Sequence, residues 1–312
     1  MLQQTQVATV IPYYERWLKT FPSLSALARA PLSKVLKLWA GLGYYRRARM
    51  FHQAAGYVQR ELFGKIPKTA EELKKLPGIG RYTAGAIASI AWGEKTPVLD
   101  GNVIRILTRI FAIAQGIQQP ATLEKLWSTA TSLLPKKNPG DLNQALMELG
   151  ATVCFPLTPQ CPRCPVKKIC SAHRKGAELF YPVRSQKDRY EKLTMSALVL
   201  RNAQNAVWIE KQPAEGRWGG LWMFPFWKSK TEMLGETKGW GERPILFLTV
   251  PHAFTKYRIQ LEVFELFCEK KSPLRRPCGK WVPILKLAET AFPSPHRKIA
   301  QALVARIDPA TA

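Results

Sequence analysis

Four cysteines, Cys154, Cys161, Cys164 and Cys170, stand in the spacing C-x6-C-x2-C-x5-C, and no other feature of the 312-residue chain constrains its fold so strongly. They place four soft ligands in one short loop, which orders itself around whatever those ligands bind. Closely spaced cysteines in a chain without a secretory signal are metal ligands sooner than disulfides. Four thiolates suit tetrahedral zinc or a cubane iron–sulfur cluster, and the chemistry alone does not choose between them. Pro162 and Pro165 stiffen the loop and help the sulfurs converge. Cys268 and Cys278 lie apart and read as buried or idle thiols.

The length favours two domains, and an apolar fraction of 46% is enough to build a core in each. A formal charge of +25 exceeds what solubility requires and points to a polyanionic partner. The sequence has no apolar run near 18 residues and no lipidation signal, so a membrane partner is not expected. The start, Met1-Leu2-Gln3-Gln4, has neither the basic region nor the apolar core of a signal peptide. The expectation is a cytoplasmic protein.

The first 150 residues read as consecutive helices. Val7, Val10, Ile11, Tyr14 and Leu18 follow helical spacing, as do Leu24 to Leu38 across a start at Pro31, and Ala48 to Leu62. Gly41-Leu42-Gly43-Tyr44-Tyr45 interrupts them with a turn that presents two aromatics, followed at once by Arg46, Arg47 and Arg49. Aromatics beside guanidinium groups suit stacked bases and strand phosphates, although tyrosines beside a helix serve equally well as core. Further on, Leu76-Pro77-Gly78-Ile79-Gly80-Arg81-Tyr82-Thr83-Ala84 reads as a tight turn between two helices. The helix after it, from Tyr82 to Trp92, would aim its free amides at a phosphate. Asp100-Gly101-Asn102 precedes a helix from Val103 to Ile113 that carries Arg105 and Arg109, and two more helices run from Ala121 to Leu134 and from Asp141 to Val153.

The hairpin at Leu76 to Ala84, the Asp100-Gly101-Asn102 turn and the cysteine loop, in this order, resemble the helix-hairpin-helix DNA glycosylases related to endonuclease III. The opening Met1-Leu2-Gln3-Gln4-Thr5-Gln6 and the Gly41 to Tyr45 turn resemble, within that group, the adenine DNA glycosylases of the MutY type. The likeness covers residues 1 to about 174. It implies a [4Fe–4S] cluster on Cys154, Cys161, Cys164 and Cys170, and double-stranded DNA containing mispaired adenine as the partner of a monomer associated with the nucleoid.

The resemblance also implies site roles. Bifunctional relatives carry a lysine directly after the hairpin arginine, where this chain has Tyr82. A lysine there forms a Schiff base with the sugar that leads to strand cleavage, and tyrosine cannot. The implied activity is therefore that of a monofunctional glycosylase, which removes a base with water. Cleavage through an oxocarbenium-like state calls for an acid at the departing base and an anion near the sugar. Asp100 corresponds to the anion, Tyr82 and Asn102 to groups that position it and the water. Gln3, Gln4 and Tyr44 fall at the DNA stack, and Gly78 and Gly80 at the phosphate. The family's acid is a glutamate two residues ahead of the Met-Leu-Gln-Gln run, and this chain begins at that methionine. Residues 1–312 are thus expected to bind the mismatch and to excise adenine slowly. Either the start is placed too late or the chain is an inactive, lesion-binding relative. A thymine- or uracil-directed mismatch glycosylase on the same scaffold is the third reading.

From Arg163 to Lys192 the chain has nine Lys/Arg against three Asp/Glu, which places the cysteine loop and the linker after it near phosphates. The stretch from Phe155 to Gln160 is without a basic residue, leaving Arg163, Lys167 and Lys168 as contacts. Beyond the linker the pattern alternates. Met195 to Leu200 and Val207 to Glu210 flank an Asn202 to Asn205 turn and read as a hairpin. Ile245 to Val250, Tyr257 to Phe267 and Lys280 to Ile284 add strands, and Pro295 to Ile307 reads as a closing helix. The run from Gly216 to Pro225 resembles the start of a Nudix-type domain, but Glu232 to Glu242 has no Arg-Glu-x-x-Glu-Glu signature to hold magnesium. That combination implies a recognition module. In the family this module inspects the base opposite adenine through a Phe-Ser-His turn, and here the place reads Phe254-Thr255-Lys256.

The expected architecture is therefore an all-helical helix-hairpin-helix domain over residues 1–153, a cluster loop over 154–174, a linker over 175–190 and a Nudix-like α/β recognition domain over 191–312.

Overall fold

The computed structural model describes residues 1–3, 5–184, 190–213, 215, 218–240, 242–254, 257–268 and 278–307. Gln4, Thr255 and Lys256 lie outside the described residues. The chain forms two compact units that do not follow chain order: residues 57–187 make one, and residues 1–56 with 188–312 make the other.

In the second of these units, α1 (Val7–Thr20), α2 (Leu24–Arg29), α3 (Leu32–Trp39) and α4 (Tyr45–Glu61) form a helical layer. The single helix expected across Pro31 is two, because Ala30 and Pro31 are both extended, as the residue before a proline prefers. On α1 only Val10 and Trp17 are buried, while Val7, Ile11, Tyr14 and Leu18 face outward.

The apolar cluster under these helices contains Trp17, Val35, Leu36, Trp39, Leu42 and Tyr45, and Leu221 and Ala291 from the C-terminal half. This shared core joins residues 1–56 to the Nudix-like part. Each fully buried side chain of leucine size contributes roughly 1.5–3 kcal/mol.

The remainder of that unit is a sheet built from β1 (Glu191–Arg201), β2 (Ala206–Lys211), β3 (Trp222–Met223), β4 (Phe226–Trp227), β5 (Ile245–Phe254), β6 (Tyr257–Phe267) and β7 (Gly279–Pro283). The order is β3-β2-β1-β6-β5, with β4 on β1 and β7 on β2. β1 and β6 run parallel over their whole length, and the other pairs are antiparallel. Alternation along β1 sends Ala197 and Val199 to one face of the sheet and Leu198 and Leu200 to the other. The first core includes residues of the closing helix (Ser294–Ile307), the second Met233 of a short helix (Lys230–Glu236). The β1–β2 turn is the expected one: Asn202 Oδ1 accepts from the amides of Gln204 and Ala206, and Asn205 takes the left-handed conformation. Cys268 is buried and Cys278 exposed.

His296 on the closing helix is buried, its Nδ1 accepts from the Phe224 amide, and its ring stacks against Phe224. Burial, and then the neighbouring His252, pull its pKa from 6.5 down to about 3. The unfolded chain therefore binds a proton below pH 6.5 that the folded chain refuses until about pH 3. Stability is full above the upper value and falls through that window, by about 1.4 kcal/mol per pH unit from this site. Urea melts between pH 7 and pH 4.5 are expected to show this loss. In His296→Asn, which keeps an acceptor for Phe224, that part of the slope disappears.

The unit of residues 57–187 is helical among its described residues: the end of α4, then α5 (Ala70–Leu73), α6 (Arg81–Trp92), α7 (Gly101–Ile110), α8 (Pro120–Leu133), α9 (Pro139–Thr152) and α10 (Ser171–Arg174). Val98, Leu99, Val103, Leu107, Ile113, Leu126 and Ala130 form its core, with Tyr82 and Met147 packed against it. α6 stops at Gly93, which is left-handed at φ 71°. α7 begins and ends before the expected positions, because Asp100 caps its first turn and Ala112, at φ 47°, cannot continue it. Residues 175–184 are not a bare linker. They include a 3-10 turn at Glu178–Phe180, and Arg109 donates to the carbonyls of Glu178 and Tyr181.

Candidate active site and cysteine centre

The hairpin between α5 and α6 turns at Gly78, whose φ of 76° is accessible to glycine at little cost. Gly80 is different: its backbone is extended, and a Cβ there would meet nothing within 4 Å. It caps α6 without a side chain and leaves room beside the first turn. Arg81, the first residue of α6, pairs with Glu124 at 2.8 Å and lies over the Trp127 ring. Tyr82 is half-buried, and its hydroxyl donates to Met147 Sδ at 3.3 Å. Burial, followed by the charge of Asp100, raises the Tyr82 pKa, so its hydroxyl stays protonated at neutral pH.

Asp100 is half-buried at the head of α7. Its Oδ1 accepts from the amides of Asn102 at 2.9 Å and Val103 at 2.8 Å, and its Oδ2 accepts from Asn102 Nδ2 at 3.2 Å. Two amides at the start of the helix hold the carboxylate in one orientation. Gly150 on α9 lets Asn102 close in, because a Cβ there would sit 2.6 Å from Asn102 Cβ.

Behind Asp100, α7 carries Arg105 and Arg109, both buried. Arg105 donates to Asn102 Oδ1 at 2.9 Å, to the Gly150 carbonyl at 2.7 Å and to the Cys154 carbonyl at 2.8 Å. Arg109 donates to the carbonyls of Phe155 and Pro156, both at 2.9 Å, as well as Glu178 and Tyr181, and to Cys154 Sγ at 3.2 Å. A continuous hydrogen-bonded path thus runs from Asp100 through Asn102 and Arg105 to the first cysteine. The sequence shows these two arginines only as a basic pair one helical turn apart, a spacing that ordinarily marks a solvated face.

Cys154, Cys161, Cys164 and Cys170 line one cavity with Ile106, Ile110, Leu149 and Val153. Burial, then the Glu178 carboxylate and the nearby cysteines, push the Cys161 thiol up to about 11. Glu178 accepts from Cys161 Sγ and from His173 Nδ1 at 2.7 Å. Four sulfurs lining one cavity suit a cationic group that takes soft ligands.

In the unit of residues 1–56 and 188–312, Tyr44 sits in the Gly41 to Tyr45 turn and is 58% exposed. The Arg47 guanidinium lies 5.3 Å from the ring and donates to the carbonyls of Met1, Gln3 and Leu42. That arginine ties the Gln3 backbone to the Tyr44 turn. Phe254 ends β5.

Two family patterns match the chain: the HhH-GPD superfamily of base excision DNA repair proteins over residues 1–131, and the NUDIX domain over residues 196–302. The adenine DNA glycosylase of Rattus norvegicus is 54% identical over 176 residues, covering 56% of this chain and 34% of that protein. The adenine DNA glycosylase of Homo sapiens is 36% identical over 358 residues, covering 96% of this chain and 66% of that protein. This chain therefore spans a third to two thirds of these mammalian relatives. The adenine DNA glycosylase of Buchnera aphidicola subsp. Schizaphis graminum is 32% identical over 315 residues, covering 96% of this chain and 88% of that protein. Among solved structures, a thermostable thymine-DNA glycosylase superposes with a TM-score of 0.50 at 27% identity, covering 56% of this chain and 80% of that one.

Proposed function

The chain belongs to the adenine DNA glycosylases, and we propose that it is a monofunctional base excision repair enzyme that hydrolyses the N-glycosidic bond of adenine mispaired with 8-oxoguanine or guanine. The observation that carries this reading is Asp100, a partly exposed carboxylate locked at a helix start by two amides and Asn102. An anion so fixed stabilises the cationic sugar as the base departs, without reorganising during the reaction. Asn102 orients it. Tyr82 stands where a Schiff-base lysine would act, so the product is an abasic site in an intact strand. By the resemblance, a glutamate protonates the leaving adenine. Extending the chain so that a glutamate stands two residues ahead of Met1 is expected to raise the rate by about 10²–10⁴-fold over residues 1–312.

The α6 start with Gly78 and Gly80, together with Arg163, Lys167 and Lys168, contacts strand phosphates. Gln3, Gln4 and Tyr44 wedge beside the target pair, offsetting part of the few kcal/mol that base flipping costs. The Phe254-Thr255-Lys256 segment inspects the base opposite. The protein acts as a monomer on the nucleoid, in the cytoplasm.

Cys154, Cys161, Cys164 and Cys170 hold a [4Fe–4S] cluster, which supplies a structural cross-link when bound. Protein purified anaerobically is expected to be brown, with about four irons per chain. Stoichiometric zinc without iron contradicts this assignment. Function is tested by incubating excess protein with duplexes carrying adenine opposite 8-oxoguanine, thymine opposite guanine, or uracil opposite guanine. Release of adenine alone supports the reading, and release of a pyrimidine instead refutes it.

A further inference from the structure

The turn that presents Tyr44 is held in an unusual conformation, with Gly41 at φ 111°, Gly43 at 68° and Tyr44 itself at 46°. A tyrosine in the left-handed region persists only where its surroundings over-determine it. Local groups supply part of that restraint: Tyr13 Oη donates to the Ala40 carbonyl, Trp39 Nε1 to Gly43 and Arg47 to Leu42. The rest comes from the far end of the sequence. Arg297, on the closing helix, donates to the same Ala40 carbonyl at 3.3 Å. Tyr45, buried directly after Tyr44, donates its hydroxyl to the Phe292 carbonyl at 2.9 Å and accepts from the Gly41 amide at 3.4 Å. Buried Arg49 donates to the Gly219 carbonyl at 2.8 Å. A Cβ at Gly41 would collide with Tyr13 Oη and Arg297. The turn is thus packed against the Nudix-like half with no slack.

We propose that the Nudix-like domain sets the pose of Tyr44: Arg297 and Tyr45 are positioning residues that clamp the Gly41 to Tyr44 turn so that the exposed ring stacks beside the target pair. The inference rests on the reading of Tyr44 as a DNA wedge. Its consequence is that the domain inspecting the opposite base also governs how well the wedge discriminates, through the protein as well as through its own DNA contacts.

The test is a double-mutant cycle in the full chain. It uses Tyr44→Ala, Tyr45→Phe, Arg297→Gln and the two doubles with Tyr44→Ala. The readout is the ratio of Kd for undamaged duplex to Kd for duplex carrying adenine opposite 8-oxoguanine. Tyr44→Ala is expected to lower the ratio about 10-fold, the worth of one stacked base. Tyr45→Phe and Arg297→Gln should each lower it about 3-fold, with undamaged-duplex affinity unchanged, and neither should lower it further once Tyr44 is alanine. Arg297→Lys, whose donor reaches farther than the amide of glutamine, should restore most of the ratio. The phenyl ring in Tyr45→Phe still fills the core, so loss of folding does not obscure that arm. An unchanged ratio in Tyr44→Ala overturns the wedge reading itself. A lowered ratio there, combined with clamp variants that act independently of Tyr44 or not at all, overturns the clamp and leaves the wedge standing.

Discussion

Asp100→Asn stops adenine release, by about 10³-fold, while the protein stays folded and keeps its affinity for the mispaired duplex. Asparagine caps a helix about as well as aspartate, so the two amide contacts from Asn102 and Val103 survive and stability changes by less than about 1 kcal/mol. What the variant loses is the charge and the Oδ2 acceptor for Asn102 Nδ2. A neutral amide cannot stabilise a sugar cation, so the loss falls on the chemical step and leaves binding intact. Single-turnover rates and gel-shift titrations on the same preparation separate the two quantities. A variant that excises within tenfold of the parent rate would remove Asp100 from the chemistry.

The second large effect is on the scaffold. Arg109→Met should destabilise the unit of residues 57–187 by about 3–5 kcal/mol, the cost typical of breaking a buried charged network. The replacement has similar length but no donor, and it strands the carbonyls of Phe155, Pro156, Glu178 and Tyr181 together with Cys154 Sγ. Because these atoms lie in the cysteine loop and in the segment that follows it, bound iron is expected to fall in parallel with the melting temperature. Arg109→Lys should recover little, since one ammonium cannot reach carbonyls spread around a planar fork. Wild-type iron content in Arg109→Met, with a stability loss under about 1 kcal/mol, would show that the loop orders itself without the arginine.

Much of this site was legible from residue types and spacing. Asp100-Gly101-Asn102 before an apolar-periodic run is a helix start, and the structure has the aspartate capping α7. The cysteine spacing announced a common ligand centre, and the four side chains line one cavity. The strands after residue 190 follow from alternation, and β6 runs from Tyr257 to Phe267 as the pattern implies. Local periodicity carries no information on partners distant in the chain, and the missed features are of that kind. Arg105 and Arg109 show a surface-like spacing, yet both are buried because the carbonyls they satisfy lie 45 or more residues further along. On α1 the helix itself was evident, but the buried residues are Val10 and Trp17, since Trp39 and Phe21 cover that side. The grouping of residues 1–56 with 188–312 depends on Leu221 and Ala291 entering a core made by α1 to α4, which no window of the sequence contains.

The central claim is that this site uses water and a fixed carboxylate on adenine, with no lysine nucleophile. The most direct measurement follows a duplex with adenine opposite 8-oxoguanine under excess protein, sampling the strand before and after alkali and trapping with borohydride, for residues 1–312 and for a version extended so that a glutamate stands two residues ahead of Met1. Free adenine and a strand that breaks only after alkali are expected, with no borohydride-trapped complex and a faster rate for the extended chain. Strand scission without alkali, a trapped covalent complex, or no adenine released by either chain would contradict that claim.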